Sequence, residues 1–161
     1  VSVERLPERA YVGVEMEVSL ERLPHVVGEG FDRVAELLAA HGVAPRGAVI
    51  RYIAARPDAT FDIEVGHLVD PADLGGSPIE PDVLPEGEYS IARHTGPYSR
   101  LAEVTRRLMA SWDEAGVAPV SARTTTGDDY ASWYELYVDM PTQGPEGPEG
   151  SVEVCVLVEP A

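Results

Sequence analysis

The segment Trp133-Tyr134-Glu135-Leu136-Tyr137 holds the residues whose types and spacing point most directly to chemistry. A strand of period two puts Tyr134, Leu136 and Val138 on one face and Trp133, Glu135, Tyr137 and Asp139 on the other. The first set suits a core. The second sets one carboxylate between two large aromatic rings, which hold a flat apolar ligand by stacking and a cationic one also by the ring quadrupole and the negative charge. Two unit charges about 4 Å apart attract by roughly 1 kcal/mol in water but about 4 kcal/mol at an effective dielectric near 20, so dryness decides the strength. An unpaired carboxylate in an aromatic cleft has its pKa raised, and an entering cation restores the ionised form. The same residues also fit an exposed glutamate on a strand whose aromatics merely cover the sheet.

Other candidates are looser. The turn His94-Thr95-Gly96-Pro97-Tyr98 could hold His94 and Tyr98 at a cleft mouth, although Gly-Pro before a helix is also ordinary punctuation and Tyr98 could be the first core residue of that helix. Trp112 falls on an apolar helix stripe, which favours core over ligand contact. Tyr11, Tyr52 and Tyr89 are candidate wall residues. His25, His41, His67 and His94 are isolated from one another, so no metal site is predicted, and no cofactor either. GEGFDR at 28–33 lacks the third glycine of a dinucleotide loop. Cys155, flanked by valines, reads as an inert buried thiol.

The elements that must position these residues come in two similar sets. GEGFDRVAEL at 28–37 and TGPYSRLAEV at 95–104 match in type at Phe31 and Tyr98, Arg33 and Arg100, Ala35 and Ala102, Glu36 and Glu103, and each leads to GVAP. The second stretch is seven residues longer, about two helical turns, which keeps its apolar face in phase. Chance likeness between amphipathic helices is the alternative. The first helix is predicted from about Phe31 to His41, and the second between Pro97 and Gly116 with Leu101, Val104, Leu108 and Trp112 on its apolar face. Strands are predicted at 10–18, 48–54, 60–69, 87–95, 130–140 and 151–158. The unit is strand, helix, strand, strand. The expected fold is α+β: two such units, about 1–70 and 86–160, joined by a proline-rich linker at 71–85 and sharing one antiparallel sheet in a single domain, 1–161. Two helices on that sheet leave a groove along the pseudo-twofold axis.

Composition narrows the function. The 161 residues carry 28 acids against 12 bases, all arginine, for a formal charge of -16, the wrong balance for nucleic acid. No apolar run reaches the roughly 20 residues of a membrane span. No signal for export is read at VSVERLPERAYVGVEMEV, so a cytoplasmic address is expected, and nothing in the pattern demands a dimer, so a monomer is.

YSIARHTGPYSRL at 89–101, SWDEAGV at 111–117, YELYVDM at 134–140 and the closing valine-rich strand together resemble the GyrI-like small-molecule-binding domain, also the effector-binding module of multidrug-sensing bacterial transcription regulators. The resemblance covers most of the chain and is strongest over 86–158. It implies a duplicated fold whose central groove accepts varied lipophilic, aromatic, often cationic compounds, with Glu135 as the cation-contacting glutamate. By position Trp133, Tyr137 and Tyr98 carry over best as groove residues, and Tyr11, Tyr52, Trp112 and His94 more loosely. The duplication is expected to set Glu64 opposite Glu135. No helix-turn-helix segment is read, which implies a stand-alone form. Some stand-alone members hydrolyse cyclopropane-bearing DNA-alkylating natural products, so the alternative is a hydrolase using Glu135 and Tyr137; a basic protein partner is a third reading.

Overall fold

Alternation of apolar and polar residues, interrupted by glycine, proline and acids, divides the chain into many strands and few helices. The computed structural model describes residues 1–161. The first half runs β1 (Ser2–Leu6), β2 (Arg9–Ser19), α1 (Leu23–Ala40), β3 (Ala48–Ala55), β4 (Thr60–Val69) and β5 (Asp82–Leu84). The second runs β6 (Gly87–Pro97), α2 (Leu101–Ala110), α3 (Trp112–Ala115), β7 (Val117–Pro119), β8 (Ser121–Thr124), β9 (Gly127–Tyr130), β10 (Trp133–Tyr137), β11 (Thr142–Gly144) and β12 (Gly147–Pro160). All twelve strands join one sheet, and every pairing is antiparallel. Its main order is β1-β6-β12-β10-β3-β4-β2-β5, with the β10–β3 pair at the centre. The fold is α+β, as the sequence implied.

Both helices lie on one face. Strand residues such as Ile50, Ile63, Val65, Val154 and Val156 meet Leu101 and Leu108 of α2 and Phe31 of α1 in one core cluster. The other face carries a second cluster of Tyr11, Val49, Leu84, Tyr89, Ile91, Tyr134 and Cys155. A third, with Val34, Leu38, Val43 and Leu74, seals the far half of α1. Two buried sheet faces explain why tyrosines occur on both sides of the sheet, and on both sides of β10.

Three sequence expectations need correction. Helix α1 begins at Leu23, not near Phe31, because Pro24 sits in its first turn and Leu23, Val26 and Val27 extend the apolar stripe through two glycines that read as breakers. Gly30 is there for closeness: a Cβ on it would lie 2.6 Å from Met16 Cε and 3.0 Å from Val65 Cβ. The second helix is not continuous, since a 3-10 turn at Tyr98–Arg100 precedes α2 and the chain breaks at Ser111, whose hydroxyl donates to the Leu108 carbonyl at 2.6 Å. The 71–85 linker is structured too, with a 3-10 turn at Pro71–Leu74, capped by the Asp70 side chain accepting from the Ala72 N–H, and then β5 pairing with β2.

Close seating of α1 sets the position of Phe31, one residue on. Gly30→Leu should lift the helix and cost about 1–3 kcal/mol, as overpacking in tight interiors does. Urea unfolding beside the wild type measures it, and an unchanged midpoint would mean that the contact with Met16 and Val65 is not tight.

Candidate functional site

Strand β10 is short because Ala131-Ser132 separates it from β9, and it lies between β3 and β12. Glu135 pairs with Ile50 on one side and Val154 on the other, so its side chain rises from the middle of the helix-covered face. It is only 4% exposed. Its two hydrogen bonds come from phenols: Tyr52 Oη donates to Oε1 at 3.1 Å and Tyr137 Oη donates to the same oxygen at 3.0 Å. No arginine pairs with it. Burial pushes its pKa up to about 7, against the opposing pull of the two phenol donors. Burial and the neighbouring carboxylate push both phenols well above their ordinary range, so they remain donors.

Aromatic rings enclose the acid. Tyr52 stacks on Trp133 with centroids 4.3 Å apart and planes 20° from parallel. Phe61 and Tyr130 present edges to Trp133. On the other side Phe31 of α1 and Tyr98 ahead of α2 both meet Tyr137 edge-on, at 5.9 and 5.3 Å. These last two are the residues that the sequence matched between its two helices. His67 of β4, its pKa lowered by burial, bonds to the Phe31 carbonyl through Nε2 at 3.1 Å. Ring contacts thus bridge the seam where a groove was expected. Surface cavities of about 250 and 460 Å³ lie elsewhere, beside Ser90 and Ser111 and beside Arg9 and Arg46, and neither includes Glu135.

The structure brings together Glu135, Trp133, Tyr137, Tyr98 and Tyr52. Trp112 packs against the same core, with its indole N–H donating to Ser90 Oγ at 3.1 Å, and His94 bonds to the Pro97 carbonyl. Tyr11 does not join them: it lies in the cluster on the opposite face, where its hydroxyl donates to Glu64 at 2.7 Å and accepts from Arg51 at 2.8 Å. Tyr89 is on that face as well, its hydroxyl donating to the Pro85 carbonyl and accepting from Ser132 Oγ. Glu64 does not stand opposite Glu135. It sits on β4, the last strand of the first half, whereas Glu135 sits on β10, the strand that faces β3 across the centre. Sequence reasoning missed Phe61, Tyr130 and His67 as parts of the cluster. Phe61 and Tyr130 are aromatic strand residues with no motif of their own, and only the β3–β4 and β3–β9 pairings bring them to Trp133.

The sheet with two helices on one face, closed over one acid among rings, defines a small-molecule-binding class of domain. The GyrI-like small molecule binding domain matches residues 1–156, and the chain belongs to the GyrI-like family. Comparison with curated proteins gives no match. Among solved structures, EcmrR in the EcmrR-DNA complex of EcmrR-RPo is 17% identical with a TM-score of 0.68, over 99% of this chain and 57% of that one. The chain therefore spans little more than half the length of that relative. SAV2435 bound to tetraphenylphosphonium is 11% identical with a TM-score of 0.56, over 98% of this chain and 93% of that one. A hydrolase from Listeria innocua is 15% identical with a TM-score of 0.59, over 98% and 91%. No helix is long and apolar enough to cross a membrane.

The raised pKa of Glu135 has a signature in stability. A carboxyl that binds its proton more tightly folded than unfolded makes the fold lose stability as pH rises from the unfolded value of 4.5 to the folded value of about 7, with a plateau above. The span corresponds to about 3 kcal/mol. His67 acts in the opposite sense, since its depressed pKa adds stability as pH rises through the same region. The difference between wild type and Glu135→Gln isolates the carboxyl: in urea unfolding at pH 5, 6, 7 and 8 the variant should gain relative to wild type up to pH 7. A constant difference would mean that Glu135 ionises normally.

Proposed function

We propose that this chain binds structurally diverse lipophilic, aromatic, often cationic small molecules between its two helices, with Glu135 reading the positive charge. The observation that carries the reading is a carboxyl buried at the centre of the sheet with phenol donors but no cation beside it. A bound cation supplies the missing countercharge in a dry site, where the attraction is several times its value in water. Trp133, Tyr52, Tyr137 and Tyr98 supply flat apolar walls. On this reading Tyr137, met edge-on by Phe31 and Tyr98, and Tyr52, stacked on Trp133, turn away from the carboxylate to admit the ligand. The two halves, 1–70 and 86–160, act as duplicated units of one domain, a reading supported by the strand order outward from the centre: β3, β4 and β2 on one side correspond to β10, β12 and β6 on the other, with β7, β8 and β9 inserted between helix and β10 in the second half. The tetraphenylphosphonium bound to SAV2435 is a ligand of this class. A cytoplasmic monomer, without nucleic acid, membrane or cofactor, is the state in which we place this activity.

A second reading rests on the same carboxyl. With a pKa of about 7 and a phenol bonded to it, Glu135 is poised to give or take a proton at neutral pH, and Tyr137 to orient the substrate. A strained cyclopropane would then open as water adds across the broken carbon–carbon bond, with Glu135 supplying the proton to the leaving carbon. Mass spectrometry after incubation with such an electrophile should reveal a water adduct with wild type and none with Glu135→Gln; unchanged electrophile in both leaves binding as the whole function.

Fluorescence-anisotropy titration with a rhodamine cation, beside a neutral aromatic dye, tests the main reading. Glu135→Gln should weaken the cation at least tenfold and the neutral dye little. Because the cation needs the ionised acid, wild-type affinity should fall about tenfold for each pH unit below 7 and stay level above it. Equal losses for both dyes, or affinity indifferent to pH, would contradict the charge-reading role.

A further inference from the structure

Buried polar groups in folded proteins nearly always find a partner, so the exceptions call for an explanation. Only three buried side-chain atoms here lack one: Arg51 Nε, Tyr98 Oη and Trp133 Nε1. Two of the three belong to the ring cluster around Glu135. Trp133 is the more telling, because it is 6% exposed, its N–H can only donate, and leaving a donor dry is unfavourable. Trp112, the other tryptophan, has its N–H bonded to Ser90 Oγ.

The surroundings connect this spare donor to the acid. Tyr52 lies flat on the Trp133 indole, 4.3 Å away, while its hydroxyl bonds to Glu135. The indole and the carboxylate therefore adjoin the same phenol, and an aromatic ligand that takes the place of this ring stacks on the indole face, from where a substituent reaching past the ring edge meets the in-plane N–H. We propose that the Trp133 indole N–H is a specificity donor, by which the site prefers aromatic cations bearing a carbonyl acceptor over cations of the same shape without one. The inference rests on the cation-binding reading above and adds the second half of the ligand's chemistry. A carbonyl satisfies a donor that the protein leaves unpaired, so an acceptor-bearing ligand gains a hydrogen bond that a pure hydrocarbon cation does not.

Tetraphenylphosphonium and the ortho, meta and para methyl-ester derivatives of one of its rings are suitable probes, since all carry the same charge. Protein labelled with nitrogen-15 at tryptophan has two indole signals, and Trp112→Phe assigns them. At least one ester isomer should bind about three- to tenfold more tightly than the parent, the gain of one hydrogen bond. That isomer should also move the Trp133 indole proton downfield. The preference, read as the ratio of ester to parent affinity, should vanish in Trp133→Phe and in protein carrying the isosteric benzothienylalanine at 133, whatever either change does to the affinity of the parent itself. Equal affinities for the parent and every ester, or a preference that survives loss of the N–H, would overturn the proposal and leave cation binding intact. If no phosphonium binds the wild type, the cation reading fails and this inference fails with it.

Discussion

The arrangement turns on one buried carboxyl. Glu135 stands at the middle of a sheet face where its neighbours across the strands are Ile50 and Val154, and only phenol hydroxyls reach it. Removing a charge from water without a countercharge is unfavourable enough that such a group shifts its pKa rather than stay ionised. Tyr52 and Tyr137 soften the penalty by donating to one oxygen, and do not cancel it. Tyr137 comes from Glu135's own strand, whereas Tyr52 must be delivered from β3. The β3–β10 pairing, which joins the two halves of the chain, places Tyr52 within reach, so the site exists only when the two halves have paired.

Much of this was legible in the sequence for a physical reason. Period-two alternation gives the strand at 60–69 and, two residues short of its end at Pro97, the strand expected at 87–95, and in WYELY it separates the face carrying Trp133, Glu135 and Tyr137 from the face carrying Tyr134 and Leu136. The match between Phe31 and Tyr98 also proved informative, since both rings close on Tyr137. Boundaries were less legible where breakers have a packing role. Gly28 and Gly30 lie within α1, and Gly30 is the point where the helix seats on Met16 and Val65.

Register and face assignment across strands were not legible. Alternation says that Tyr11 and Tyr52 each have a face, but not which, and both sheet faces are apolar here, so composition does not decide. Tyr11 went to the side opposite Tyr52, where Glu64 and Arg51 satisfy its hydroxyl. The equation of Glu64 with Glu135 failed because local motif similarity does not carry strand order: the first-half partner of β10 across the centre is β3, not β4. β3 also carries a register shift between Tyr52 and Ala54, beyond which its residues pair with both β4 and β9. An irregularity of this kind bends a strand and re-aims its side chains, and a single sequence gives no sign of it.

The closed ring cluster is consistent with a tolerant binding site. A preformed rigid pocket discriminates by shape, whereas rings that fill their own space and meet one another mostly edge-on leave several low-energy arrangements open to a ligand's own rings. Where two rings part to admit a ligand, its own ring packs against each of them in a similar way, so the apolar part of the exchange is nearly balanced whatever the ligand's outline. What is not balanced is the carboxyl. A cation removes the desolvation penalty that the phenols leave standing, while a neutral ligand does not, so charge becomes the one property selected strongly in a site otherwise indifferent to shape.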